Sequence, residues 1–255
     1  MNKVYVIGIG FKPLEKKTSH LVLNSDVVLT NDSLLRVFKN YPEYKRVQDR
    51  ILVHGSVYET VDYIRENYRH KKLSLLAAGD PMFFGIGRLI VEKVGPHAVE
   101  IYPDLSSVQV AFSRIRETSS NALVLSLHGG PDPEKRRKLE YDITELPPLL
   151  EKHNKIAILT DKVNRPEKIA EVLLAGSKDS SARRPMGSSK QSRTAEAASS
   201  STRRDNIRMY VCEKLGFADE RVTEGTPEEI SQMSFAHPNV VIIKSTKVHD
   251  QNSQE

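Results

Sequence analysis

The chain has 255 residues, 38% of them hydrophobic and 28% charged, with one cysteine and a formal net charge of +5. That composition allows one large or two ordinary domains with a sizeable core, and a lone Cys212 excludes an internal disulfide and any multi-cysteine metal site. No apolar run approaches the roughly 18–20 residues of a membrane span, and MNKVYVIGIG enters a strand-like pattern directly, so neither signal peptide nor anchor is expected and cytoplasm is the expected compartment.

The first predicted strand, KVYVIGI, ends in Gly8-Ile9-Gly10, where two glycines let the main chain bend sharply and approach a ligand. The third glycine of a dinucleotide fingerprint is missing, and Phe11-Lys12-Pro13 does not open a helix as that fingerprint requires. An ordinary tight turn is the competing reading. DVVLTN and RILVHG follow as strands. Ser56-x-x-Glu59 then reads as a capping box before Val57, Val61, Ile64 and Tyr68, which recur at helical spacing.

The strand LSLLAAG runs into Asp80-Pro81-Met82-Phe83-Phe84. Ligands of open α/β sheets bind beyond the carboxyl ends of strands. Asp80 is therefore placed to accept hydrogen bonds from a ligand, while Gly79 clears room. Pro81 is expected to start a helix carrying Phe83, Phe84 and Ile86; an Asp-capped helix with a core-facing phenylalanine pair is the alternative. AVEIY leads next to Pro103-Asp104-Leu105-Ser106-Ser107 and the helix VQVAFSRI, where serine hydroxyls and free helix N–H groups converge. Simple N-capping by Asp104 or Ser106 is the bland reading there.

A boundary is expected near Arg116–Ser120, giving an N-terminal α/β domain over 1–116 and a C-terminal one over 117–249, with a tail at 250–255. The second half contributes the strands NALVLSLHG, KIAILTD, IRMYVCE and NVVIIKS, with helix starts at Asn164–Glu167 and at Thr226-Pro227-Glu228-Glu229. Strands alternating with helices, apolar nearly throughout, predict parallel sheet covered on both faces and an α/β class. The segment Gly176–Asn206 is Ser-rich, aperiodic and unable to bury enough surface to offset its ordering entropy, so it is expected to be a disordered insertion. From Gly176 to Arg204 it holds seven Lys or Arg against two Asp or Glu, so the rest of the chain is balanced and no nucleic-acid face is expected. His128 in SLHG is the candidate for moving a proton, because an imidazole titrates at roughly pH 6.5; a structural histidine is the alternative, and Asp104 the second choice. Cys212 reads as a small buried hydrophobe.

Taken together, GIG, AGDPMFFGIG, PDLSS and LSLHG resemble the tetrapyrrole methylases, which transfer methyl groups from S-adenosylmethionine. The resemblance covers nearly the whole chain outside Gly176–Asn206. Within the family, GDPMFFGIG, SLHG, ILTDKVNRPEKIA and YVCEKLG…RVTEGTPEEI are most similar to members that methylate C5 of a cobalt-precorrin in cobalamin synthesis. The resemblance implies two α/β domains with the methyl donor in the cleft between them, and no metal. It implies donor contacts at Gly8, Ile9 and Gly10 and at Ala78, Gly79 and Asp80, with Phe83 beside them, Ser106 and Ser107 nearby, and Leu159 and Leu215 over the adenosine. Acceptors of this family carry many carboxylates, for which Lys12, Arg88 and Arg114 are candidates, with Asp104 also near the acceptor. A homodimer is implied, and a separate protein would supply C15 methylation with decarboxylation. Phe11-Lys12 stands where the family usually has Pro-Gly, and Gly130 where Arg commonly follows SLHG. Competing readings are a family member with another acceptor (another precorrin, diphthine or RNA), a nicotinamide enzyme using Asp26, and a nucleic-acid binder acting through the insertion.

Overall fold

The computed structural model describes residues 3–129, 139–179 and 206–245. Gly130, most of the expected insertion (180–205) and the tail at 250–255 lie outside the described residues. The chain divides into two compact units, Met1–Ser107 and Val108–Glu255.

The first unit runs β1 (Val4–Ile9), α1 (Lys16–Leu23), β2 (Val27–Thr30), α2 (Asp32–Phe38), α3 (Tyr44–Val47), β3 (Ile51–Val53), α4 (Val57–Asn67), β4 (Leu73–Ala78), α5 (Gly87–Val94) and β5 (Val99–Tyr102), and α6 (Ser107–Arg114) follows. Its five strands lie in the order β3-β2-β4-β1-β5, every pairing parallel. Successive side chains of a strand point to opposite faces. Accordingly Val4, Val6, Leu73 and Leu75 pack under Val61, Ile64 and Ile90, while Ile7, Ile9 and Leu76 pack with Val28 and Phe38 on the other side. Both faces are covered, so the strands read as continuous apolar runs. Ser56 caps α4 by accepting from Glu59 N at 3.1 Å, and the Glu59 carboxylate reaches back to Gly55 N at 3.1 Å.

The helix expected from Pro81 does not start there. Phe84 has φ +56°, and α5 begins only at Gly87, whose N–H donates to the Pro81 carbonyl at 2.9 Å. A Cβ on Gly85 would lie 2.5 Å from that same oxygen. The chain therefore coils tightly around one carbonyl, a path open to Gly-x-Gly and closed to helix.

The second unit carries β6 (Leu123–Ser126), α7 (Leu146–His153), β7 (Lys155–Leu159), α8 (Pro166–Asp179), β8 (Ile207–Glu213), β9 (Arg221–Gly225), α9 (Pro227–Ser231) and β10 (Asn239–Ser245). Helix α8 thus continues through the first residues of the segment expected to be disordered. The strand order is β6-β7-β10-β8-β9, and only β6–β7 is parallel. This corrects the expectation of parallel sheet throughout. Residues 214–220 join β8 to β9, too few for the crossover of about a dozen residues that a parallel pair needs. Thr226 and Glu229 form the expected reciprocal capping box at α9, at 3.3 and 2.7 Å. One apolar core gathers Leu125, Ile156, Ile158, Val211 and Val241 beneath Leu146, Ile169 and Ile230.

Candidate functional site

The site residues of the first unit meet at the carboxyl edge of its sheet. β1 lies between β4 and β5, in register Ile9↔Ala78 and Ile7↔Tyr102, so the three strands end side by side. Their exits interlock through main chain. Gly79 N donates to Ile9 O at 3.0 Å, and Asp104 N donates to Gly79 O at 3.2 Å. A Cβ on Gly8 would lie 2.0 Å from Gly79 O and 2.5 Å from Asp104 N, so the approach itself demands glycine. Gly79 has φ +56°, and a Cβ on it would lie 2.7 Å from the Leu105 carbonyl oxygen, whereas nothing lies within 4 Å of a Cβ built on Gly10. The edge is floored by backbone and open above Gly10.

Asp104 is a clamp. One carboxylate oxygen accepts from Phe11 N at 2.7 Å and Lys12 N at 3.2 Å, and the other from Leu105 N at 2.7 Å. Tyr41 completes the grip: its hydroxyl accepts from Gly10 N at 2.9 Å and donates to Lys12 O at 2.8 Å. Burial pushes the Tyr41 phenol above its ordinary pKa, opposed by the Gly10 N–H, so it stays a neutral donor. Sequence reasoning missed Tyr41 altogether. It follows no motif, and its partners lie about 30 residues earlier in the chain.

Asp80 follows Gly79 and is partly exposed. Its Oδ1 accepts from Met82 N at 2.8 Å, and its Oδ2 makes no hydrogen bond among the described residues. Phe83 is half-buried and stands edge-on to Phe84, ring centres 5.0 Å apart. Ser106 is buried and Ser107 half-buried at the start of α6. This arrangement offers close main-chain approach, an outward carboxylate oxygen for a ligand hydroxyl or ammonium, and an aromatic wall. It suits a polar ligand with an apolar body.

The cationic candidates differ. Lys12 is exposed and forms no salt bridge among the described residues. Arg88 pairs with Glu92 at 2.6 Å along α5, and Arg114 pairs with Glu220 in the second unit, which holds the Glu220 carboxyl below its usual range.

In the second unit, the words SLHG and ILTDKVN are stitched together. Buried Asp161 accepts from Gly129 N at 2.9 Å, Val163 N at 2.9 Å and Asn164 N at 2.8 Å. Asn164 Nδ2 donates to Leu127 O at 2.8 Å. This frame fixes the β6 exit, from which His128 projects, exposed. His237 is solvent-accessible yet crowded; partial desolvation, then the facing His128 and Lys162, hold its imidazole below the ordinary value against the pull of Asp161. Leu159 is half-buried at the end of β7 and Leu215 is buried. Glu213, its side chain 2% exposed, was also missed: it accepts from Arg221 at 2.6 and 3.0 Å and from Ala236 N at 2.6 Å. Among the described residues no group of three or more His, Cys, Asp or Glu is placed to hold a metal, and no helix is long and apolar enough to cross a membrane.

The sequence profile of the Tetrapyrrole (Corrin/Porphyrin) Methylases matches residues 3–231. A probable cobalt-precorrin-7 C(5)-methyltransferase of Methanocaldococcus jannaschii is 27% identical over 170 residues, 65% of this chain and 74% of that protein. The precorrin-6Y methylase structure from Archaeoglobus fulgidus matches with a TM-score of 0.61 at 19% identity, covering 96% of this chain and 99% of that one. A uroporphyrin-III C-methyl transferase from Thermus thermophilus, complexed with S-adenosyl homocysteine, also matches at 0.61 and 19%, covering 95% and 97%. At such identities the structural likeness carries the fold.

Proposed function

The chain belongs to the tetrapyrrole (corrin/porphyrin) methylases, and on that premise we propose that it transfers a methyl group from S-adenosylmethionine to C5 of a cobalt-precorrin in cobalamin synthesis. The M. jannaschii relative supports the acceptor. The interlocked edge of Gly8, Gly79 and Asp104 supports the donor reading, because it holds exposed Ala78 and the partly exposed Asp80 at the carboxyl end of the sheet. A homodimer, a cytoplasmic setting and a separate protein for C15 methylation with decarboxylation belong to the same proposal.

When bound, the donor would supply an electrophilic methyl on a sulfonium, to which an electron-rich ring carbon bonds in line as the methyl–sulfur bond breaks and neutral S-adenosylhomocysteine leaves. The chain's own part is positioning. Main-chain groups at Ala78 and Asp80 fix the donor, with Gly79 between them clearing room, and Asp80 Oδ2 accepts from its polar groups. Phe83 and the backbone around Gly10 shape the wall, with Ser106 and Ser107 adjoining. Reacting atoms must be held about 3–3.5 Å apart with water excluded, which needs neither a nucleophilic side chain nor a covalent intermediate. His128 is the proposed base for a proton released from the acceptor, being solvent-reachable on a rigid frame.

Calorimetry tests the donor reading. S-adenosylhomocysteine should bind the parent and bind Asp80→Ala about tenfold or more weakly, as expected for losing a charged hydrogen-bond partner. Binding of NAD in preference would overturn it. Methylation assayed with a cobalt-precorrin tests the acceptor.

A further inference from the structure

We propose that Lys12 pairs a carboxylate of the acceptor, and that Asp104 and Tyr41 are positioning residues that hold it in place to do so; this rests on the acceptor being a tetrapyrrole polycarboxylate, as read above. The turn Gly10–Lys12 sits at the exit of β1, where a surface loop is ordinarily free to move. Here four main-chain hydrogen bonds from two distant side chains fix it: Gly10 N to Tyr41 Oη, Tyr41 Oη to Lys12 O, and both Phe11 N and Lys12 N to Asp104 Oδ2. What this fixed turn presents is an exposed ammonium without a salt bridge among the described residues. Lys3 pairs with Glu100 at 2.6 Å, Lys17 lies over the Tyr102 ring at 4.9 Å and Arg88 pairs with Glu92, whereas exposed Lys16, Lys39, Lys45 and Lys93 also form no salt bridge among the described residues; what sets Lys12 apart is the pinned turn that carries it.

Asp104 also ties the turn to the donor edge, since its own N–H donates to Gly79 O, next to Asp80. One residue thus sets the spacing between the donor grip and the lysine. Its carboxylate accepts three N–H groups rather than the Lys12 ammonium, which stays available. A lysine side chain loses considerable rotamer entropy on pairing, and anchoring its backbone beforehand removes part of the total ordering cost. The chemistry selects a carboxylate at that position and discriminates against its neutral ester.

The test uses the full chain and steady-state methylation of a cobalt-precorrin. Lys12→Gln should raise the acceptor KM about tenfold, with kcat and the Kd for S-adenosylhomocysteine changed less than about twofold, and Lys12→Arg should recover most of the loss. Tyr41→Phe should raise the acceptor KM about three- to fivefold in the parent and have no further effect in Lys12→Gln, a non-additivity that a purely structural role would not produce. Lys16→Gln, which removes an equal charge on α1, should leave KM unchanged. Melting temperatures confirm that each variant is folded. An unchanged KM in Lys12→Gln, an equal rise in Lys16→Gln, or an undiminished Tyr41→Phe effect in the double variant would overturn the inference alone. A parent that methylates no tetrapyrrole would overturn the acceptor reading and this inference with it.

Discussion

Gly8 and Gly79 meet backbone to backbone, so closely that a methyl group added to Gly8 would sit 2.0 Å from the Gly79 carbonyl oxygen. The obstruction is main chain within a hydrogen-bonded sheet edge and has no rotamer through which to yield. Gly8→Ala should therefore cost about 3 kcal/mol or more of stability, read from chemical denaturation, and should abolish binding of S-adenosylhomocysteine. A variant with parental stability would show that the edge can open.

Asp104→Ala removes the acceptor of three N–H groups at once. Each is left without its partner, and the expected loss is about 2–4 kcal/mol. Asp104→Asn keeps one acceptor oxygen and should lose less. The order parent, Asn, Ala in urea midpoints checks this, and an Asn variant as weak as Ala would contradict it.

Acid should unfold the second unit partly through Glu117. Its carboxylate pairs with Lys244 and with Lys155 (3.2 Å), and these bonds, Lys244 foremost, hold its pKa below the ordinary 4.5 despite partial burial. A carboxyl with a depressed folded pKa contributes stability above its unfolded pKa and loses it as pH falls through the folded one. Melting temperature should thus drop as pH falls below about 4.5, and Glu117→Gln should flatten that drop while lowering stability at neutral pH. Parallel curves for parent and variant would rule the residue out.

Cys212 is fully buried in β8, and burial pushes its thiol up to about 12. At pH 8 the native protein should resist thiol reagents for as long as it remains folded, and react at once in denaturant. Rapid labelling of the native chain would show that β8 opens locally.

Much of this architecture is legible in the sequence because its strands are short apolar runs between turn residues; KVYVIGI, LSLLAAG and NVVIIKS each became a strand. β9 escaped because RVTEG is an edge strand with most of its side chains toward solvent, which leaves no apolar run to see. The helix expected after Pro81 was misplaced for a conformational reason, the left-handed Phe84 and the carbonyl wrapped by Gly85 and Gly87. At the candidate site, the glycines and Asp80 announce themselves through their local pattern. Asp104 reads locally as a helix cap or an acceptor contact, and two of the N–H groups it holds stand more than 90 residues earlier. Tyr41 gives no local signal at all. Bonds between distant loops follow from the order in which strands assemble, and single-sequence periodicity carries none of that information.

The Asp104 clamp also limits which turns can be grafted after β1. Phe11 contributes an N–H to that carboxylate, a group proline lacks. Placing Pro-Gly at positions 11 and 12 would confront the acid with a ring carbon instead of a donor. Proline at position 11 would leave Asp104 Oδ2 with the residue-12 N–H as its one donor from that turn, so a turn grafted here calls for a matching change at residue 104.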